Sequence, residues 1–155
     1  MSSEQVVKQN MVTFGHGDRS WNARTQEFIE SHTEDVVVYQ PGSHEPRVGR
    51  HDHWGDMEGF WSAFSDITIG PVGPEGIPMY KEQFGSGDKM CGVSVMTGTH
   101  TGTLNLFGLE VPPTGKKVDI ELCTVATFKD GKIAEERLYY DMLLLAMDLG
   151  VWPPK

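Results

Sequence analysis

The clearest hydrophobic pattern lies in the last third of the chain. From Val118 to Phe128 the even positions (Val118, Ile120, Leu122, Thr124, Ala126, Phe128) are mostly apolar, while Asp119, Glu121, Cys123 and Thr127 between them are mostly polar. Such a period of two predicts a strand with one buried face. Asp130-Gly131 then separates it from a second β-rich segment ending near Asp141, a strong hairpin signal. The run Met142–Gly150 closes the chain as a short helix, with Asp141 as its N-cap.

Upstream the period lengthens. Val7, Met11 and Phe14 are spaced four and three apart, which predicts a first helix capped by Ser2 or Ser3 and stopped at Gly15-His16-Gly17. Asp18 is expected to cap a second helix, with Trp21, Thr25, Phe28, Ile29 and His32 on one face. Asp35–Gln40 reads as a strand by β-branched content, ended by Pro41-Gly42. A third helix from about Asp52 to Phe64 turns His53, Met57, Phe60, Trp61 and Phe64 inward. After the Gly/Pro-rich loop Gly70–Pro78, the segments Met79–Phe84 and Lys89–Leu106 read as another hairpin around Gly85-Ser-Gly-Asp88. The order predicts an α+β fold: a curved antiparallel sheet with helices on one face.

Bulk composition narrows the picture. With 155 residues, 38% of them hydrophobic and 23% charged, the chain suits one domain spanning residues 1–155. The apolar run near the C-terminus is about eight residues, far short of the roughly 20 that span a bilayer. The opening Met-Ser-Ser-Glu-Gln has no basic stretch followed by an apolar one, so no signal peptide is expected. Cys91 and Cys123 stand outside any metal-like spacing, which fits a reducing, cytoplasmic setting. A net charge of -9 opposes a nucleic-acid partner, since that affinity comes from Lys and Arg on phosphates.

Gly98-Thr-His-Thr-Gly102, Pro112-Pro-Thr-Gly115, Phe128-Lys-Asp-Gly-Lys-Ile133 and the closing Asp141-x6-Asp-Leu-Gly150 together resemble the SnoaL-like polyketide cyclases, a branch of the nuclear transport factor 2-like superfamily. Gly49, the third helix and Phe64-Ser-Asp66 match more loosely. The resemblance covers about Val6 to Gly150. It implies a cone-shaped α+β barrel whose sheet and three N-terminal-half helices enclose an apolar pocket, and a homodimer or homotetramer formed through the outer face of the sheet. It also implies an acid on the last strand, facing a His on the strand before, for an intramolecular aldol closure. Counted from Lys132-Ile133, those two positions hold Leu138 and Thr124, and neither can move a proton near neutral pH.

Register across the Asp130-Gly131 turn decides which residue replaces them. A two-residue type I′ turn sets Arg137 opposite Thr124, whereas a type I turn with a Gly131 bulge sets Glu136 there. The second keeps the family's two positions on one face and is the expected one. It makes Ala134, Glu136, Leu138 and Tyr140 the inner face, while a one-residue slip would reverse it. Glu136 is then a carboxylate on an apolar wall, its pKa expected to rise by desolvation. His100, flanked by glycines, and His53, in the first turn of the third helix, are the candidate relays, and His53 is expected to be neutral there. Tyr39, Trp54, Phe60, Leu122, Thr124, Leu138 and Tyr140 are the candidate pocket wall. His51-Asp-His53-x4-Glu58 resembles half of a cupin metal motif, but the downstream half is missing, and no metal or other cofactor is expected.

These readings predict general acid/base chemistry by Glu136, with His100 and His53, on a hydrophobic carbonyl-bearing small molecule: isomerisation, dehydration or cyclisation. The alternative is a non-catalytic module of the same fold that binds a ligand or a protein.

Overall fold

The computed structural model describes residues 1–106 and 108–154. A long helix α1 (Ser3–Ala23) and a one-turn helix α2 (Glu27–Glu30) lead into strand β1 (His32–Tyr39). Strand β2 (Arg47–Val48), helix α3 (Arg50–Ala63) and strand β3 (Thr68–Gly70) follow. The second half is β4 (Glu82–Ser86), β5 (Lys89–Thr99), the short pair β6 (Leu104–Leu106) and β7 (Leu109–Val111), β8 (Lys117–Lys129), β9 (Lys132–Tyr139) and helix α4 (Met142–Asp148). The main sheet runs β2-β1-β9-β8-β5-β3, with β4 added along β5. This is the α+β architecture expected, a curved sheet with helices laid into it.

Four details differ from the sequence reading. The first two predicted helices are one: α1 runs through Gly15 and Gly17, capped by Ser2 and Gln5 in a capping box. Gly15 serves close packing, since a Cβ there would sit 3.0 Å from the Ile77 side chain. Asp18 is therefore inside a helix rather than at its start. His32 opens β1 instead of closing a helix, because the chain reverses at Arg24, which adopts a left-handed conformation. The sheet is not wholly antiparallel, since β1 pairs parallel to β9. The predicted Lys89–Leu106 strand is interrupted after Thr99, where Thr101 and Gly102 both donate to the Ala63 carbonyl at the end of α3.

The Asp130-Gly131 hairpin settles its register in a third way. Both turn residues have positive φ (51° and 78°), as a type I′ turn requires, and Lys129 pairs Lys132. A bulge between Thr127 and Phe128 then shifts the ladder by one, so that Thr124 faces Leu138 and Ala126 faces Glu136. Glu136 and Leu138 thus share the inner face with Thr124, as anticipated, although neither anticipated pairing holds. Ile133, not Ala134, begins that face, because Ala134 is the extra residue of the bulge and has no partner on β8.

Packing follows the alternation. Every even residue of β8 from Val118 to Phe128 is buried. The larger core joins Trp21, Met57, Trp61, Ile120 and Leu122 with α4, and a smaller one gathers Phe14, Val36, Val38, Met90 and Phe128. Gly92 lets α1 press on the sheet: a Cβ there would lie 3.0 Å from the Phe14 ring. Asp141 caps α4, accepting from the Leu144 N–H at 2.9 Å. No helix among the described residues is long and apolar enough to cross a membrane.

Candidate active site

A cavity opens between the helices and the concave face of the sheet, and four walls meet in it. Phe14, Gly17, Asp18 and Trp21 come from α1; Phe28 and His32 from α2 and β1; His53, Met57 and Phe60 from α3; Leu122, Thr124, Ile133, Glu136, Leu138 and Tyr140 from the hairpin side. The lining is mainly apolar and aromatic, with a few polar groups converging, the usual character of a small-molecule site.

Glu136 is the centre of those polar groups. Its side chain is buried, and one oxygen, Oε1, contacts His32 Nε2 and lies 3.8 Å from His53 Nε2. The fold forces this meeting: parallel pairing brings the start of β1 beside β9, and the first turn of α3 covers both. Phe28 packs against both imidazoles, edgewise 4.9 Å from the His32 ring and tilted 5.4 Å from the His53 ring.

The protonation of His32 follows from its other nitrogen. Nδ1 lies 2.8 Å from the Phe28 carbonyl, which can only accept, so Nδ1 carries a hydrogen. Were His32 neutral and Glu136 ionised, Nε2 and Oε1 would face each other as two acceptors. A proton therefore lies between them, and the pair carries one exchangeable proton. Burial pulls the Glu136 pKa up, but the charge and hydrogen bond of His32, and then His53, outweigh it and hold the carboxyl below its ordinary range. This corrects the expectation of a raised value.

His53 is almost completely buried, and neither ring nitrogen has a hydrogen-bond partner among the described residues. Burial pushes its pKa down to about 4, so at neutral pH it is an imidazole with one N–H and one lone pair uncommitted. It is neutral as expected, with burial as the leading cause rather than the helix terminus.

The sequence reading missed two further polar groups. His32 was assigned to a helix face, and Asp18 to a cap. Asp18 lines the cavity from α1 and accepts a 2.6 Å hydrogen bond on Oδ2 from the Tyr80 hydroxyl. Burial raises its pKa to about 7, with Glu136 adding to the rise and Tyr80 and His32 opposing it. The missed signal was the chance that α1 continues through Gly17, which places Asp18 one turn from Phe14 and Trp21 on the same inward face.

His100 does not join the site. It is fully buried on the far side of the core, its ring 5.2 Å from Phe64, and its Nδ1 accepts from the Thr114 N–H at 3.2 Å. With its backbone paired to Lys116, it ties together the loop that returns to β8. Tyr39 and Trp54 also lie outside the cavity wall: the Arg137 guanidinium stacks 4.1 Å over Tyr39, and Trp54 packs 5.1 Å from Trp61. Phe60, Leu122, Thr124, Leu138 and Tyr140 line the cavity as anticipated.

The donor atoms of His32, His53 and Glu136 lie within 4.8 Å of one another, a two-His, one-carboxylate set that could also hold a divalent cation. His51 and Glu58 are exposed and take no part. The same atoms can thus bind a proton or a metal ion, but not both.

A family model described as SnoaL-like polyketide cyclase matches residues 15–149. Among solved structures, a candidate SnoaL-like polyketide cyclase from Jannaschia sp. CCS1 superposes with a TM-score of 0.79 at 19% identity, covering 96% of each chain. AclR, a candidate hydroxylase from Streptomyces galilaeus, gives 0.75 at 25% identity over 96% of this chain and 85% of its own. IdmH, a candidate polyketide cyclase from Streptomyces antibioticus, gives 0.72 at 24% identity over 92% and 99%. No curated protein matches the sequence. Thr124 and Leu138, where the resemblance expects the His and the acid, are direct cross-strand partners lining the cavity.

Proposed function

The chain belongs to the SnoaL-like polyketide cyclase family, and on that premise we propose a cofactor-independent general acid/base enzyme. It acts on a hydrophobic, carbonyl-bearing small molecule as an isomerase, dehydratase or cyclase. The observation that carries this reading is Glu136, a buried carboxylate held between His32 and His53 at the wall of an apolar cavity.

In this reading Glu136 removes the proton from a carbon next to the substrate carbonyl. Its Oε1 is committed to His32, which leaves Oε2 to face the substrate. Being ionised at neutral pH, it is ready to accept on that oxygen, while His32 keeps the proton already held between its Nε2 and Oε1 and so steadies the carboxylate. His53, neutral and without a hydrogen-bond partner among the described residues, lies beside Oε1 and relays or steers the abstracted proton. Apolar walls exclude water and strengthen each of these interactions. Compared with the aldol pattern of its family, the acid/base function has moved two residues along the same face of β9, from the position of Leu138 to Glu136.

Exchange of α-hydrogens is the step that isomerisation, dehydration and aldol closure share. A bicyclic aromatic ketone, 2-tetralone, incubated with the protein in D2O and followed by proton NMR, isolates that step. Wild-type protein is expected to accelerate exchange over buffer, and Glu136→Gln is expected to lose the acceleration. Absence of acceleration by wild type, with the ketone bound and recovered unchanged, would favour a binding module instead.

A further inference from the structure

Glu136 accounts for a base but not for the fate of charge on the substrate oxygen, and the cavity holds a second carboxyl that the reading above does not use. Asp18 stands on α1, in the helical wall, while Glu136 stands on β9, in the sheet. Its Oδ2 is fixed by the Tyr80 hydroxyl at 2.6 Å, and Oδ1 makes no hydrogen bond among the described residues. Asp18 is half-buried and lines the cavity.

Charge bookkeeping in this small space constrains what Asp18 can be. Glu136 and His32 share one proton and together are neutral, and His53 is neutral. An ionised Asp18 would then be an uncompensated charge in an apolar enclosure, close enough to Glu136 to be repelled by it. A carboxylic acid there is the cheaper state, with Tyr80 donating to Oδ2 and the acid's own O–H pointing into the cavity. The titratable groups facing Asp18 are Tyr80 from the segment before β4, Glu136 from β9 and His32 from β1. Tyr80 is half-buried, and desolvation raises its own pKa, so it stays a neutral donor.

We infer that Asp18, positioned by Tyr80, is a second catalytic group: the acid that protonates the substrate's carbonyl oxygen from the helical wall while Glu136 works from the sheet. This rests on the acid/base reading of Glu136 and sharpens its substrate class to ketones that place a carbonyl oxygen at α1 and an acidic C–H at β9. The C–H bond breaks, its proton passes to Glu136, its electron pair forms a carbon–carbon double bond, and the oxygen takes the Asp18 proton to give an enol. Asp18, now a carboxylate, recovers its proton when the enol collapses and Glu136 returns its own to carbon. No external oxidant or reductant is needed. A carboxylic acid kept neutral by its surroundings to serve as such a donor is a known device.

Two measurements test this. The first needs no substrate: the Asp18 carboxyl carbon in 13C-labelled protein is followed from about pH 4 to about pH 9 by NMR. A midpoint near 7 that rises in Tyr80→Phe supports the inference, because the Tyr80 hydrogen bond favours the ionised form. A midpoint in the ordinary carboxylate range overturns it. The second is ketone exchange by Asp18→Asn, expected to lose about 100-fold in kcat with KM changed by less than about threefold. The wild-type rate should fall as pH rises through the Asp18 midpoint. That alkaline limb should vanish in Asp18→Asn and move to higher pH in Tyr80→Phe. Unchanged kcat and an unchanged limb in Asp18→Asn would overturn the role of Asp18 while leaving Glu136 standing. Loss of exchange in Glu136→Gln is read separately and bears on the base alone.

Discussion

His32 commits its Nδ1 hydrogen to the Phe28 carbonyl and turns Nε2 on Glu136, so the two side chains are joined by a single proton in a buried site. Their backbones are 104 positions apart and meet only because β1 joins β9 in parallel. This pair is at once a structural tie and the proposed catalytic centre, and the two roles can be separated by mutation.

Removing His32 should cost far more stability than neutralising Glu136. His32→Ala leaves a buried carboxylate without its partner, a loss on the order of 3–5 kcal/mol for a broken buried pair. In Glu136→Gln the new amide can donate to the His32 lone pair, so the cost should stay near or below about 1 kcal/mol. Urea unfolding of the two variants measures both, and equal losses would contradict the proton assignment.

Stability should depend on pH through two groups of opposite sign. His53 titrates at 6.5 when unfolded and about 4 when folded. Between those values the unfolded chain binds the extra proton, so this contribution to stability rises with pH. Asp18 titrates at 3.8 unfolded and about 7 folded. There the folded chain binds the extra proton, so stability falls as pH rises. Over about pH 4 to 6.5 the two slopes, each at most about 1.4 kcal/mol per pH unit, offset one another. His53→Gln should make stability fall with rising pH across that window, and Asp18→Asn should make it rise. Denaturant midpoints at several pH values read the signs directly; the same sign in both variants would refute one of the two assignments.

Zinc should act as an inhibitor. Its binding to His32, His53 and Glu136 would displace the shared proton and occupy the base. Ketone exchange by protein treated with a chelator should match that of untreated protein, and added Zn2+ should suppress it reversibly. Exchange that is lost on chelation and restored by zinc would show a metal enzyme instead.

Gly102 should tolerate no side chain. A Cβ there would overlap the Ser62 carbonyl where the loop after β5 docks on α3. Gly102→Ala should cost at least about 1–3 kcal/mol, visible as a lower Tm by calorimetry. An unchanged Tm would mean that this loop docks differently.

Much of the frame was legible in the sequence because it rests on local periodicity. The alternation of β8, the Asp130-Gly131 turn, the inward face of α3 and the Asp141 cap each depend on neighbours a few residues away. The site was less legible because it rests on long-range pairing. Parallel contact between β1 and β9 brought His32 to Glu136, and no local pattern announces a parallel neighbour across 104 positions. Asp18 was hidden by two glycines that normally end helices but here lie inside one, Gly15 permitting close packing against Ile77. His100 looked chemical for the same reason in reverse: its glycines serve a loop that packs on α3. Glu136 was reached from alternation together with the family's two positions, which chose between two registers, although the bulge that sets its register lies three residues beyond the turn. Its pKa direction was misjudged because the two imidazoles beside it come from distant elements.

The most direct measurement is hydrogen–deuterium exchange at the α-carbon of 2-tetralone, with wild type, Glu136→Gln and His53→Gln compared at one pH near neutrality. The account predicts exchange above buffer for wild type, a fall of about 100-fold or more for Glu136→Gln, and a smaller fall for His53→Gln. Wild-type rates retained by folded Glu136→Gln would contradict it.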